Sequence, residues 1–144
     1  MAEFRNILVP TDFTEPSEHA LDWAIQMASR LGSSITLMHA YELPLVGLPD
    51  ATLVAPADIA ARIADASRNA LDRTLERHKD RGVPISAVLR EGVAWEEINH
   101  VADEIDADLV VLGTHGRKGL ARALLGSTAE KVVRSAHHAV ATIH

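Results

Sequence analysis

Asp108-Leu-Val-Val-Leu-Gly-Thr-His-Gly116 is the stretch of the sequence that decides the fold class. Its first five residues are nearly all aliphatic, which is typical of a central parallel strand covered by helices on both faces. Two glycines follow directly, at positions 113 and 116. A buried strand that leads into a glycine-containing loop predicts an open α/β sheet, in which ligands bind at the carboxyl ends of the strands.

The rest of the chain alternates short apolar strands with amphipathic helices. Besides Asp108–Leu112, strands are predicted over Asn6–Pro10, Ile35–Tyr41, Ile85–Leu89 and Ala139–Ile143. Helices are predicted from Thr14 to Gly32, over about Asp58–His78, from Trp95 to Ile105 and over Thr128–Ala136. This alternation predicts a three-layer α/β sandwich with a mostly parallel sheet. The length of 144 residues favours a single domain spanning residues 1–144.

The composition excludes several classes of function. Hydrophobic residues make up 47% of the chain and aromatic residues only 3%, so the core must be aliphatic. The lack of cysteine excludes disulfides, thiolate zinc sites and a thiol nucleophile. A net charge of −6 gives no overall basic footprint for nucleic acid. With no signal peptide and no apolar run of membrane-spanning length, we expect a cytoplasmic protein that does not contact a membrane.

Glycines and a hydroxyl residue mark both ends of the loop after the central strand. Gly113 and Gly116 leave backbone amides open to a phosphate, and Gly126 does the same at the far end. Ser127 and Glu130 fit a capping box, which predicts Ser127 as the N-cap of the last helix. Unpaired amides and partial positive charge at a helix N-terminus favour phosphate binding. The alternative is that the glycines only form turns and the capping box only starts a helix.

The same loop carries a local basic cluster, consisting of His115, Arg117, Lys118 and Arg122. These side chains are placed to face a phosphate chain. The spacing matches neither the Walker loop nor the dinucleotide-binding fingerprint.

Asp12 follows the first predicted strand, at the same edge of the sheet as the Gly113 loop. If the first and fourth predicted strands are neighbours, the Asp12 carboxylate faces this loop across a crevice. There it can accept hydrogen bonds from ribose hydroxyls or approach a phosphate-bound Mg²⁺. The alternative is an aspartate that caps the following turn. Ala40 and Leu112 end their strands at this edge, where small apolar groups can contact a purine.

The chain resembles the universal stress protein family from end to end. Ile7–Phe13 is similar to the family's opening strand and acidic residue. Gly113-x2-Gly116-x9-Gly126-Ser127 matches the Gly-x2-Gly-x9-Gly-Ser/Thr motif of the nucleotide-binding members. The resemblance implies an adenine nucleotide alpha hydrolase-like fold with a five-stranded parallel sheet in the order 3-2-1-4-5. It also implies a homodimer formed through the last strand, although Ala136–His144 lacks the Cys-Pro pair that is common there.

The ligand that the resemblance implies is ATP, usually with Mg²⁺ or Mn²⁺. On this chain Asp12 would hold the ribose, Ala40 would flank the adenine, and the glycines with Ser127 and Thr128 would meet ribose and phosphates. The expected cofactor-binding residues are Pro10, Thr11, Asp12, Ala40, Leu112, Gly113, His115, Gly116, Arg117, Gly126, Ser127 and Thr128. No protein-held metal is expected, because His137, His138 and His144 show no acidic or cysteine partner in the sequence.

These features predict an ATP-binding stress-response or signalling module rather than an efficient enzyme. No residue that would orient a nucleophile stands out near the loop, and Ser127 has no evident base partner. Slow ATP hydrolysis is compatible with such a site. The alternative is a dimeric interaction protein of the same fold that holds no physiological nucleotide.

Glu42–Pro56 is the one segment that the alternating pattern does not explain. It is apolar, contains three prolines and is long for a connection in a compact domain. It is expected to pack on its own domain, to cover a ligand or to contact a second subunit.

Overall fold

The computed structural model describes residues 3–48, 51–114 and 125–144, with the backbone alone at 45–48 and 51–54. The elements in chain order are β1 (Asn6–Pro10), α1 (Glu15–Leu31), β2 (Ser34–Tyr41), β3 (Leu45–Leu48), β4 (Ala51–Val54), α2 (Ala57–His78), β5 (Ile85–Glu91), α3 (Ala94–Glu104), β6 (Leu109–Gly113), α4 (Ser127–Ser135) and β7 (Val140–Ile143). Apart from β3 and β4, the strands and helices lie where the sequence pattern predicts them.

Five strands form one parallel sheet in the order β5-β2-β1-β6-β7. Numbered within this sheet alone, the order is 3-2-1-4-5, which confirms the predicted fold. In β1, Ile7 is paired with Ile35 of β2 on one side and with Leu109 of β6 on the other. The winding changes direction between β1 and β6, and a crevice opens at the carboxyl ends of strands at such a point.

Two apolar cores lie on the two faces of this sheet, because alternate side chains of a strand point to opposite faces. Ile7 and Val9 belong to the core that packs under α1 and α2. Leu8 belongs to the core under α3 and α4. Every buried hydrophobic residue in the described ranges is aliphatic or methionine, as the low aromatic content predicts.

The amino-terminal half of α2 is less buried than its apolar pattern predicts. Its buried residues, Leu71, Thr74 and His78, all lie in the second half of the helix, and Ile59 is 40% exposed. The reason is that the helix is longer than the neighbouring strand β5. At 22 residues the helix spans about 33 Å, whereas the seven residues of β5 span only about 23 Å.

The segment predicted as a loop over Glu42–Pro56 contains a β-hairpin, so that part of the prediction was wrong. β3 and β4 pair antiparallel, from Leu45 opposite Val54 to Leu48 opposite Ala51. They form a two-stranded sheet that is separate from the main sheet. Backbone pairing within the hairpin satisfies the amides and carbonyls that face the partner strand.

In the described ranges no helix is both long enough and apolar enough to cross a bilayer.

Candidate functional site

A cavity of about 470 Å³ opens at the carboxyl ends of β2, β1 and β6. It therefore lies at the point where the winding of the sheet changes direction. The structure brings nine of the twelve predicted cofactor-binding residues together in its lining: Pro10, Thr11, Asp12, Ala40, Leu112, Gly113, Gly126, Ser127 and Thr128. The other three, His115, Gly116 and Arg117, lie outside the described residues, as do Lys118 and Arg122 of the basic cluster.

Sequence reasoning missed eight residues of the lining: Ser17, Met38, His39, Glu42, Ala94, Ile98, Thr114 and Ala129. Some of these residues could have been predicted from their position beside residues already assigned to the site. Met38 and His39 directly precede Ala40, and Thr114 directly follows Gly113, so a cavity at strand ends was bound to include some of them. Ser17 had no such signal, because it reaches the cavity only through the turn that connects β1 to α1.

The amino terminus of α4 forms one end of the cavity. Gly126 is its N-cap, with φ −61° and ψ 158°, and the Gly126 carbonyl accepts a hydrogen bond of 2.9 Å from the Glu130 amide. The predicted capping box was therefore wrong, since Ser127 is the first helical residue and no side chain caps the helix. The amides of Ser127, Thr128 and Ala129 have no preceding helical carbonyl to bond, and such amides bind anions.

Thr114 fixes this helix end to the sheet. Its carbonyl accepts a hydrogen bond from the Gly126 amide, and its own amide donates to the Ile143 carbonyl at 3.0 Å. The fully buried Thr114 side chain also lies within hydrogen-bond distance of the His144 ring, at 3.4 Å from Oγ1 to Nδ1. The ends of the segment 115–125 are thus joined by a backbone bond, next to the last two strands of the sheet.

Gly113 is explained by packing as well as by access to its backbone. A Cβ at this position would lie 2.8 Å from both the carbonyl carbon and the carbonyl oxygen of Pro16. Distances this short to backbone atoms do not occur, so only glycine lets the first turn of α1 approach the end of β6. The glycine motif in the sequence does not indicate that position 113 must also be glycine for packing against Pro16.

The Asp12 side chain lies in the cavity and also holds the turn that follows it. Asp12 Oδ1 accepts hydrogen bonds from the Thr14 amide at 3.1 Å, from the Ser17 hydroxyl at 2.5 Å and from the Thr14 hydroxyl. The alternative of a turn-capping aspartate is therefore observed. The two roles are compatible, since the same carboxylate lines the cavity.

Part of the cavity lining is apolar. Met38, Ile98 and Leu112 are buried side chains of this lining, and Ala40 near the end of β2 belongs to it as well. Glu42 also lines the cavity, at an exposed position just after β2. A flat apolar group such as a nucleobase suits the apolar side chains, whereas an anion suits the start of α4.

The histidines near position 140 have structural partners rather than a shared ligand. His138 lies before β7, where its Nε2 contacts Asp103 Oδ1 at 2.8 Å and its Nδ1 contacts the Ala107 carbonyl at 2.8 Å. α3 brings the acidic Asp103 to this position from a distant part of the sequence, a contact that the sequence alone does not indicate. Within the described ranges, no group of three or more histidine or acidic side chains could hold a metal ion.

The structure is an open parallel α/β sheet with a cavity at the change of winding, the position at which domains of this class bind small molecules. The model of the universal stress protein family matches residues 3–144. The chain belongs to this family.

Individual relatives agree with this assignment. Universal stress protein MJ0531 of Methanocaldococcus jannaschii is 33% identical over 135 residues, which cover 93% of this chain and 78% of that protein. The structure of universal stress protein UspA from Lactobacillus plantarum has a TM-score of 0.84 at 25% identity and covers 100% of both chains. A universal stress protein solved in complex with cAMP has a TM-score of 0.73 at 25% identity, with 99% of each chain covered.

Substituting Gly113→Ala is expected to destabilise the protein by about 1–3 kcal/mol, because the added methyl group overlaps the Pro16 backbone and α1 must shift. Thermal or urea unfolding measures this change. Ser127→Ala is the control, since it alters an exposed side chain of the same cavity and should stay within about 0.5 kcal/mol of the wild type. Equal stability of the Gly113→Ala variant and the wild type would show that α1 does not pack against this glycine.

Proposed function

We propose that the protein is an ATP-binding stress-response or signalling module whose nucleotide occupies the cavity at the ends of β2, β1 and β6. One observation carries the proposal. The unbonded amides at the start of α4 and an apolar slot formed by Met38, Ile98 and Leu112 line one cavity, with the Asp12 carboxylate also in its lining. The cAMP complex of a related universal stress protein supports an adenine nucleotide as the ligand.

The proposed placement follows the chemistry of the lining. The phosphates lie against the amides of Ser127, Thr128 and Ala129, where the helix dipole also favours negative charge. The base lies in the apolar slot beside Ala40, and the ribose lies between them with its hydroxyls toward Asp12. This assigns each part of a nucleotide to a surface of matching polarity.

The charges of a triphosphate need compensation that the described lining does not contain. Its titratable side chains are Asp12, Glu42 and His39, and two of these are carboxylates. We therefore propose that Mg²⁺ or Mn²⁺ enters with the phosphates and is held mainly by them. Arg117, Lys118 and Arg122, which lie outside the described residues, supply further positive charge in this proposal.

The geometry favours binding over efficient catalysis. Asp12 Oδ1 already accepts three hydrogen bonds from its own turn, so this oxygen serves to hold the turn. The Ser127 hydroxyl is exposed at the first position of α4, and no hydrogen bond to it is found among the described side chains. A positioned base is what phosphoryl transfer to water or to a substrate would require.

A homodimer through β7 is the second part of the proposal. β7 is an edge strand without charged residues or proline, and such an edge can pair with another chain. The Ala139 carbonyl accepts a hydrogen bond from Val110 of β6, and the Ile143 carbonyl accepts one from Thr114, which directly follows β6. Because backbone groups alternate along a strand, those of Val140 and Thr142 face the outer edge, where a second copy can pair with them across a two-fold axis.

Gly126→Val is expected to weaken ATP binding at least tenfold, or about 1.4 kcal/mol, because a branched side chain meets the phosphates. Titration calorimetry measures the affinity. Gly126→Ala is the matched control with a smaller side chain, and φ of −61° suits either residue, so backbone strain is not introduced. We expect the loss to grow from alanine to valine. A folded Gly126→Val variant that binds ATP like the wild type would place the nucleotide elsewhere.

Asp12→Asn is expected to weaken ATP binding about threefold or more while leaving the melting temperature nearly unchanged. The amide oxygen of asparagine can still accept the bonds from Thr14 and Ser17, but the negative charge toward the ribose and metal is lost. Asp12→Ala serves as the comparison, because it removes the turn as well and should lower both affinity and stability. Unchanged affinity together with lost stability in Asp12→Asn would reduce Asp12 to a turn residue.

Val140→Pro should convert dimer to monomer in sedimentation velocity, because it removes an amide that faces the outer edge of β7. The bonds to β6 use other residues, so the fold should survive. Val140→Thr keeps the amide and should remain dimeric. A folded, fully dimeric Val140→Pro variant would move the interface away from β7, and the hairpin of β3 and β4 is the next surface to test.

A further inference from the structure

We propose that His39 is a positioning residue of the cavity, one that holds the turn Thr11–Phe13 so that the Asp12 carboxylate stays aimed at the ligand. The proposal rests on the proposed function, in which Asp12 binds the ribose. His39 lies near the end of β2, next to Ala40, and its side chain lines the cavity. The sequence motif does not include it.

The first contact of His39 is with the backbone of Thr11. Its Nδ1 lies 2.7 Å from the Thr11 carbonyl oxygen. A carbonyl only accepts, so Nδ1 carries the proton and donates this hydrogen bond. The Thr11 amide in turn donates to the Met38 carbonyl at 2.8 Å. Both backbone groups of Thr11 are thus bonded to neighbouring residues of β2, which extends the pairing of β1 and β2 one residue toward the cavity.

The second contact of His39 is with Phe13, which has an unusual backbone conformation. Phe13 has φ of +65°, a left-handed value that is an outlier for a bulky residue and therefore strained. Its ring centroid lies 4.5 Å from that of His39, with the planes inclined by 45°. Its amide donates to Thr11 Oγ1 at 3.0 Å. A strained conformation persists only where surrounding contacts hold it. His39 contacts Phe13 itself, and it also bonds to Thr11, whose hydroxyl accepts the hydrogen bond from the Phe13 amide.

The strained residue determines where the Asp12 side chain points. With Phe13 in the left-handed region, the chain bends directly after Asp12. Asp12 Oδ1 then meets the amide and hydroxyl of Thr14 and the hydroxyl of Ser17. If Phe13 relaxed to negative φ, the Thr14 amide would move away from Oδ1 and the carboxylate would turn. His39 thus acts on the ligand through Phe13, Thr11 and Asp12.

Two substitutions separate the hydrogen bond from the ring contact. His39→Phe keeps an aromatic ring against Phe13 but removes the donor to Thr11. His39→Asn keeps a donor near the position of Nδ1 but removes the ring. Each is expected to weaken ATP binding about threefold to tenfold, the size of one net hydrogen bond or ring contact. Thermal melts of the same samples show what part of each variant is folded at the temperature of the titration.

A double-mutant cycle with Asp12→Asn distinguishes positioning from direct contact. If His39 acts through Asp12, adding His39→Phe to Asp12→Asn causes little further loss, so the two losses are not additive. Fully additive losses would overturn the proposal, because His39 would then contact the nucleotide itself. Unchanged affinity in both single variants would overturn it as well.

A measurement without nucleotide keeps this proposal separate from the proposed function. Amide hydrogen exchange at Phe13 and Thr14, followed by NMR, is expected to become about tenfold faster in His39→Phe and His39→Asn. Exchange at Ile35, at the far end of β2, is the internal control and should not change. If the wild type fails to bind ATP but the turn loosens as expected, the proposed function fails and the structural role of His39 stands. Unchanged exchange at Phe13 and Thr14 refutes that role whatever the protein binds.

Discussion

The hydrogen bond from the Gly126 amide to the Thr114 carbonyl is the constraint on which the cavity depends. It holds the amino terminus of α4 at the end of β6, so that the unbonded amides of the helix face the space above β1. Thr114 can serve as an anchor because it is itself bonded to Ile143 of the last strand and is fully buried.

The close approach of α1 to the end of β6 is a second constraint on the cavity. Gly113 lets the backbone of Pro16 approach more closely than any side chain would allow. The first turn of α1 then places the Ser17 hydroxyl within hydrogen-bond distance of Asp12, and both residues line the cavity. Two glycines thus have distinct tasks that the motif does not distinguish. Gly113 serves the packing of α1 against β6, whereas Gly126 supplies the amide that is bonded to Thr114.

The fold and the strand-end residues were predictable because their signals are local. An aliphatic run at 108–112 and alternating periodicity give the sheet, and the residues that end β1, β2 and β6 reach one edge by topology alone. What could not be predicted depends on contacts between distant residues. The N-cap position follows from the bond between Gly126 and Thr114, and the role of His39 follows from its contacts with Thr11 and Phe13. The hairpin was missed because prolines flank its two short strands.

In the proposed complex a nucleotide binds with its phosphates at the start of α4. Amide NMR spectra recorded during an ATP titration, with and without Mg²⁺, test this placement. We expect the largest shifts at Ser127, Thr128 and Ala129, with smaller ones around Ala40. Saturating ATP that leaves these amides unchanged, or shifts mainly the surface groove lined by Trp95 and Asn99 on α3, would contradict it.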